Sequence, residues 1–278
     1  MEDEPLISLI FPLYNSSRFI DRIIQNVEAV RYSNVEFLFG DRHGLDDCIE
    51  ILESKYGHDA RFRFFKSNDG EDWRVNTNHL IAQAKGDYYR FMPHDDFFLR
   101  CGLREMLQEF VRFPETILVY SPVKHYFNTD PVKKLYGAEK DYATENAIDW
   151  DFNWIMRFNY PMKCTGSFRG LVDLKKVRAN NVVIENSSAF SDRYYLFGLA
   201  LIGKFRYSNH GYSEKEIWEG SVSYEWKFIK KSKKPSFLIE SYNMHAFYLN
   251  KLVSSSFLRI KGKLLIIGHI LSFVFSKG

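Results

Sequence analysis

Residues 6–17 read LISLIFPLYNSS, eight almost wholly apolar residues that stop at a small polar cluster. A run this short, bounded by turn residues, predicts a strand buried on both faces, as in a parallel sheet. Beyond it, RFIDRIIQNVEAV carries Phe19, Ile20, Ile23, Ile24, Val27 and Val30 at helical spacing, with Ser16 or Ser17 as the expected N-cap. The alternation continues. Strands are expected at 35–39, 61–65 and 88–92, and helices at 46–55 and 73–84. Strand–helix alternation of this kind implies right-handed crossovers and a doubly wound, mostly parallel α/β sheet with helices on both faces.

Ligands on such sheets bind beyond the carboxyl ends of the strands. Three polar clusters fall there: Tyr14-Asn15 after the first strand, Asp41 after the second, and His94-Asp95-Asp96 after the fourth. An acidic pair after a strand can be no more than a turn. The coincidence of three clusters at equivalent ends favours a site. The bulk composition agrees with an ordinary globular protein: 278 residues, 45% hydrophobic, 26% charged. A formal charge of +3 gives no support for nucleic acid as a partner. The three cysteines, Cys48, Cys101 and Cys164, lack metal-ligand spacing and read as reduced thiols of a cytoplasmic protein. The acidic start MEDEPLISLIF does not read as a signal peptide.

No GxGxxG follows the first strand, and P-loop, HExxH and GxSxG motifs are missing from the sequence. A nucleotide held without a glycine loop needs its phosphate charge neutralised otherwise, and carboxylates carrying a divalent cation would do so. Residues 6–110 resemble the N-terminal half of the family-two inverting glycosyltransferases, nucleotide-sugar enzymes of the GT-A fold. Four motifs carry the resemblance in order: Pro12-Leu13-Tyr14-Asn15, the strand FLFGD ending at Asp41, Asn78 with Ala84-Lys85-Gly86-Asp87-Tyr88, and FMPHDD ending at Asp95-Asp96.

The resemblance implies that Pro12, Leu13, Tyr14, Asn15, Asp41, Asn78, His94 and Asp95 bind a nucleotide-sugar, with UDP as the nucleotide and Asp41 on the base. It also implies Mg²⁺ or Mn²⁺ on Asp95 and Asp96. Further along, SDRYYLFGLALIGKF resembles the family's helix that begins with the general base, which makes Asp192 the expected base. Capping that helix is the structural alternative for Asp192. The implied activity is transfer of a sugar, with inversion, to a glycan or lipid-linked acceptor in surface polysaccharide synthesis. Two departures stand out: Pro93 replaces the first acid of the motif, and Trp218 in EIWEGSVS replaces a His. They keep a non-catalytic nucleotide-sugar-binding module in view. A sugar nucleotidyltransferase is disfavoured, because PLYNSS lacks a Gly- and Arg-rich loop.

The expected organisation is a nucleotide-sugar half over 1–120, an acceptor and catalytic-base half over 121–225, and a helical extension over 226–278. The 121–160 stretch reads as a long loop, Lys163–Leu171 as a strand or tight turn, and 189–201 as a helix leading to a strand at 205–207. The segments 121–160 and 165–169 are expected to choose the acceptor. Trp73 and the pair Asp46-Asp47 read as structural, and Lys230–Lys234 as a solvated face. The apolar tail, 264–275, is too short to span a bilayer and is flanked by lysines. It is expected either to pack as a final helix or to lie on the inner face of the plasma membrane, with the interface favoured.

Overall fold

The computed structural model describes residues 4–42, 44–67, 72–100, 102–127, 165–187, 190–218 and 235–275. The expectations for Cys101, for Lys230–Lys234 and for most of the 121–160 loop and the 163–171 segment's first residues fall outside these. Strands β1 (Ile7–Leu13), β2 (Val35–Arg42), β3 (Phe62–Ser67) and β4 (Tyr88–Phe91) alternate with helices α1 (Ile20–Glu28), α2 (Cys48–Tyr56) and α3 (Trp73–Gln83). All four strands run parallel, in the order β3-β2-β1-β4. The apolar run that opens the chain takes the centre, where Ile7, Leu9, Ile10 and Phe11 are fully buried. Its composition suits that place, because both faces of a central parallel strand are covered.

The second half of the chain joins the same sheet. After β5 (Asp96–Arg100) and α4 (Leu103–Arg112) come β6 (Thr116–Tyr120), β7 (Val123–Phe127) and a 3-10 turn, Thr165–Arg169. Then follow β8 (Leu171–Asp173), α5 (Leu174–Ala179), α6 (Ser191–Ile202), β9 (Lys204–Tyr207) and β10 (Tyr212–Ile217). Strand β8 runs antiparallel between β4 and β6, and β9 extends the edge beside β6. A second, three-stranded sheet, β5-β10-β7, was not anticipated from the sequence. Its strands are too mixed in polarity to stand out, because pairing across long separations creates them.

The acidic loop between β4 and β5 is clamped by one face of α1. Arg22 donates to the Asp95 carbonyl at 2.5 Å, and Asn26 donates to the Asp96 carbonyl at 2.9 Å. These residues lie four apart, one helical turn, so both reach the same loop. Ser16 does not cap α1 through its side chain, contrary to expectation. Its hydroxyl receives the Tyr14 N–H and meets His94 instead.

Two helices close the chain, α7 (Pro235–Leu252) and α8 (Ser256–Phe275). Helix α7 packs on α6, with the Tyr248 hydroxyl donating to the Val183 carbonyl at 2.7 Å. Gly198 of α6 makes that approach possible: a Cβ there would sit 2.7 Å from the Tyr248 ring. Helix α8 is amphipathic in an unusual sense. Leu265, Ile266 and Ile270 pack inward, while Phe257, Ile260, Leu264, Ile267 and Leu271 form an exposed stripe at alternating spacings of three and four. At 3.6 residues per turn, Lys261 and Lys263 border this stripe on either side. Among the described residues no helix is long and apolar enough to cross a membrane.

The Gly198 contact carries a test. Gly198→Ala should lower stability by about 1–3 kcal/mol through overpacking against the fixed Tyr248 ring. Chemical denaturation measures this, and an unchanged midpoint would contradict the packing.

Candidate active site

At the carboxyl ends of β1 and β2 the polar residues brace one another. Leu13 and Asp41 are register partners across the two strands. Asn15 adopts a positive φ of 47°, and its side chain accepts the Leu45 N–H at 2.8 Å, joining the two loops. Asp46 and Asp47 contribute to the same brace, accepting from the Ser17 N–H at 2.6 Å and the Ser17 hydroxyl at 2.9 Å. Asp41 is buried, which raises its carboxyl above the ordinary value, while the Gly44 N–H donated to it pulls the other way. Beside it lies an open cleft of about 440 Å³ lined by Arg42, Phe64, Phe65, Lys66, Asn76 and His79.

The matched asparagine is placed differently from expectation. Both ends of the Asn78 amide are engaged by Ile184, donating to its carbonyl at 2.8 Å and accepting from its N–H at 2.9 Å. Asn78 therefore joins α3 to the second half of the chain. Asn76, two residues earlier, faces the strand ends and donates to the Gly40 carbonyl at 2.8 Å. Helical geometry explains the difference, since residues two apart point to different sides. Trp73 packs against Phe91 and Phe168, the core role expected of it.

His94 stacks on Phe19, with ring centroids 5.1 Å apart, and its Nδ1 lies 2.7 Å from the Ser16 hydroxyl. Burial lowers its pKa from the ordinary value, so the imidazole is neutral at neutral pH. The two acids that follow part company. Asp96 is fully buried, and its Oδ2 forms an ion pair with the Arg169 guanidinium. Asp95 is partly exposed, and its Oδ2 accepts the Trp218 indole N–H at 3.3 Å. Trp218 in turn lies under the Arg18 guanidinium, 3.3 Å from ring centre to Cζ.

Asp192 arrives at the same place from α6. Burial opposes the charge of Arg169, and Asp96, then Asp95 and Asp192, more than offset it. Burial and Arg169 lower the Lys215 ammonium, against the opposing pull of Asp96, Asp95 and Asp192. One field thus joins the adjacent carboxylates Asp95 and Asp96 to Asp192 from a distant part of the sequence. Helix α6 is not capped by Asp192. Phe190 takes the cap position at a φ of 63°, and among the described residues Asp192 accepts from the adjacent Arg193 N–H alone, at 2.9 Å.

These placements decide the fit of a divalent cation. Asp96, expected as a ligand, is closed off by Arg169 and by burial. One oxygen of Asp95 already holds an indole donor. Among the described residues no group of three or more His, Cys, Asp or Glu could hold a metal ion. With Asp96 closed off, a cation on Asp95 would have to draw its other ligands from phosphate oxygens and water.

The model of the family described as "Glycosyl transferase family 2" matches residues 8–171, more than half of the chain. The chain belongs to glycosyl transferase family 2. As a family-2 chain it resembles glycosyltransferase GlyG of Streptococcus pneumoniae, 24% identical over 212 residues, 71% of this chain and 67% of GlyG. An uncharacterized glycosyltransferase of Haemophilus influenzae is 30% identical over 103 residues, 37% of this chain. The chain spans 41% of that relative's length. Solved structures share the GT-A fold. S. aureus TarS in complex with UDP-GlcNAc superposes with a TM-score of 0.69 at 15% identity, covering 97% of this chain and 73% of the TarS chain. The mannosyltransferase PcManGT of Pyrobaculum calidifontis, in complex with GDP-Man and Mn²⁺, gives a TM-score of 0.55 at 10% identity, covering 100% and 89%.

Sequence reading missed Asn76, Lys215, and the roles of Arg169 and Arg18 in this family-2 site. Arg169 was expected to help choose the acceptor. An arginine in the Gly-bounded apolar segment GSFRG is the one signal that could have marked it as buried and paired. Removing its partner tests that role. Asp96→Asn should destabilise the protein by about 3–5 kcal/mol, because it leaves a buried guanidinium uncompensated. Thermal and urea unfolding read this directly, and a loss below about 1 kcal/mol would contradict a dry ion pair.

Proposed function

We propose that this chain transfers a sugar from a nucleotide-sugar, with UDP as the nucleotide, to a hydroxyl of a glycan or lipid-linked acceptor. The observation that carries the reading is the shared field of Asp95, Asp96 and Asp192 around Arg169 and Lys215. It supports a base acting beside the strand ends where a nucleotide would bind. Asp41 would accept a hydrogen bond from the pyrimidine imide, with Pro12, Leu13, Tyr14 and Asn15 lining the nucleoside and His94 and Asp95 near the diphosphate. The Campylobacter jejuni relative named "GalNAc(5)-diNAcBac-PP-undecaprenol beta-1,3-glucosyltransferase", 24% identical over 106 residues, supports a lipid-linked or polysaccharide setting.

The chemistry is a single in-line displacement with inversion. Asp192 takes the proton from the acceptor hydroxyl as its oxygen bonds to the anomeric carbon. The bond from that carbon to the diphosphate oxygen breaks, and its electron pair leaves with the nucleotide. Among the described residues the Arg193 N–H alone engages the Asp192 carboxylate, which supports this role. The Trp218 bond to Asp95 also keeps the non-catalytic binding module as a second reading, which donor hydrolysis by water separates from an enzyme.

Asp192→Asn retains size and hydrogen bonding but cannot take a proton. Transfer should fall by about 10²–10⁴-fold, with UDP affinity and melting temperature near those of the parent. Retention of transfer within a few-fold would move the base elsewhere.

The stripe on α8 supports a peripheral place on an anionic membrane surface, for which apolar side chains bordered by lysines are suited. Helix α8 contains no acid, so pairing with a second copy would bring its lysines together unmatched. Ile260→Glu with Leu264→Glu should abolish sedimentation with phosphatidylglycerol vesicles without lowering the melting temperature. Undiminished sedimentation would place membrane contact, if any, outside this stripe.

A further inference from the structure

We propose that this chain holds the donor diphosphate without a divalent cation, with Trp218 occupying the cation's place on Asp95 and Arg18 supplying the positive charge. The inference rests on the donor reading above and deepens it by naming what neutralises the phosphates.

A divalent cation held by a protein usually rests on one or two carboxylates, with phosphate oxygens and water completing its shell. Here one of the two candidates, Asp96, is sealed against Arg169. The other, Asp95, spends an oxygen on the Trp218 indole at 3.3 Å. An indole N–H is a donor only, so Trp218 can orient Asp95 but cannot ligate a metal. Trp218 is thus a positioning residue whose indole N–H occupies the Asp95 oxygen where a cation would sit.

The charge comes from the same stack. Arg18 lies over Trp218 at 3.3 Å and over Phe19 at 4.5 Å, both measured to ring centres. It is exposed, and among the described residues no carboxylate pairs with it. Stacking on two aromatic rings fixes the plane of a guanidinium that would otherwise sweep through solvent. A planar, permanently charged fork is suited to two phosphate oxygens at once. Arg18 sits in the turn directly after β1, at the sheet edge where the nucleotide is proposed to bind. A dication on Asp95 would face this guanidinium, with Lys215 and Arg169 also near Asp95. Like charges gathered there disfavour it. Asp95, Trp218 and Arg18 form one relay in which a carboxylate orients an indole and the indole orients a cation.

Calorimetric titration of the full chain with UDP and with GDP, in chelator and in millimolar Mn²⁺, tests this. The parent should bind UDP with affinities within about threefold in the two conditions. Arg18→Gln should weaken binding by about 10–100-fold in both, the range for a lost charge-assisted hydrogen bond. Trp218→His frees Asp95 and adds an imidazole, so its affinity should become Mn²⁺-responsive. Affinity in the parent that rises tenfold or more with Mn²⁺ overturns the inference and leaves the donor reading intact. So does an Arg18→Gln variant that binds like the parent. If neither nucleotide binds under either condition, the donor reading and the inference fall together. Should Trp218→His fail to fold, the parent and Arg18→Gln still decide.

Discussion

The buried ion pair between Asp96 and Arg169 is the contact on which the arrangement of the site depends. Taking two charges out of water costs several kcal/mol per ion, which attraction offsets only when the geometry is good and the remaining donors are used. The surroundings meet that condition on the backbone side alone, because Asp96 Oδ1 is buried without a hydrogen-bond partner among the described residues. Asn26 holds the Asp96 carbonyl, and the fully buried Arg90 donates to the Arg169 carbonyl at 2.9 Å. Arg169 precedes β8, the strand that enters antiparallel against β4. The pair therefore fixes where the second half of the chain meets the acidic loop of the first. It offers little net stability over an apolar pair of the same shape, and its value is specificity of position.

From that junction the electrostatics of the site follow. Asp95 stands one residue from the pair and is partly exposed, while Asp192 adds its charge to the field at Arg169. Neighbouring acids thus take different roles because one is enclosed and the other is not. His94 belongs to the enclosed side: its stacking on Phe19 and its contact with Ser16 make it a wall of the loop. Chains of family 2 share the strand-end motifs. In this chain the rings of Phe19 and Trp218, with the Arg18 guanidinium over both, lie beside Asp95.

The far end of the molecule obeys a different constraint. Helix α7 is anchored by Tyr248 and by the buried His245, whose imidazole burial drives down to about 4. Helix α8 is held by fewer residues and leaves Phe257 72% exposed and Leu264 63% exposed. Contiguous exposed apolar surface of this kind is a candidate contact surface. The apolar character of the tail was plain in the sequence. That it both packs and exposes was a matter of which residues the body could reach.

The sequence by itself determined the parallel half of the sheet and the position of its ligand edge. Its apolar runs are short and alternate with helical periodicity, and buried parallel strands joined by helices are the structure that matches them. The motif ends at Asp41 and Asp95 were legible for the same reason, since turns after such strands are where polar residues gather. Tertiary structure alone decided the division of labour inside those motifs. Asp95 and Asp96 are chemically identical neighbours, and only the arrival of Arg169 from 73 residues away separates them. Asn76 and Asn78 share a helix, and only the direction of each side chain assigns one to the strand ends and the other to Ile184. Pairings across such separations leave no local periodicity, because the energy that fixes them is realised only when the distant segment is in place.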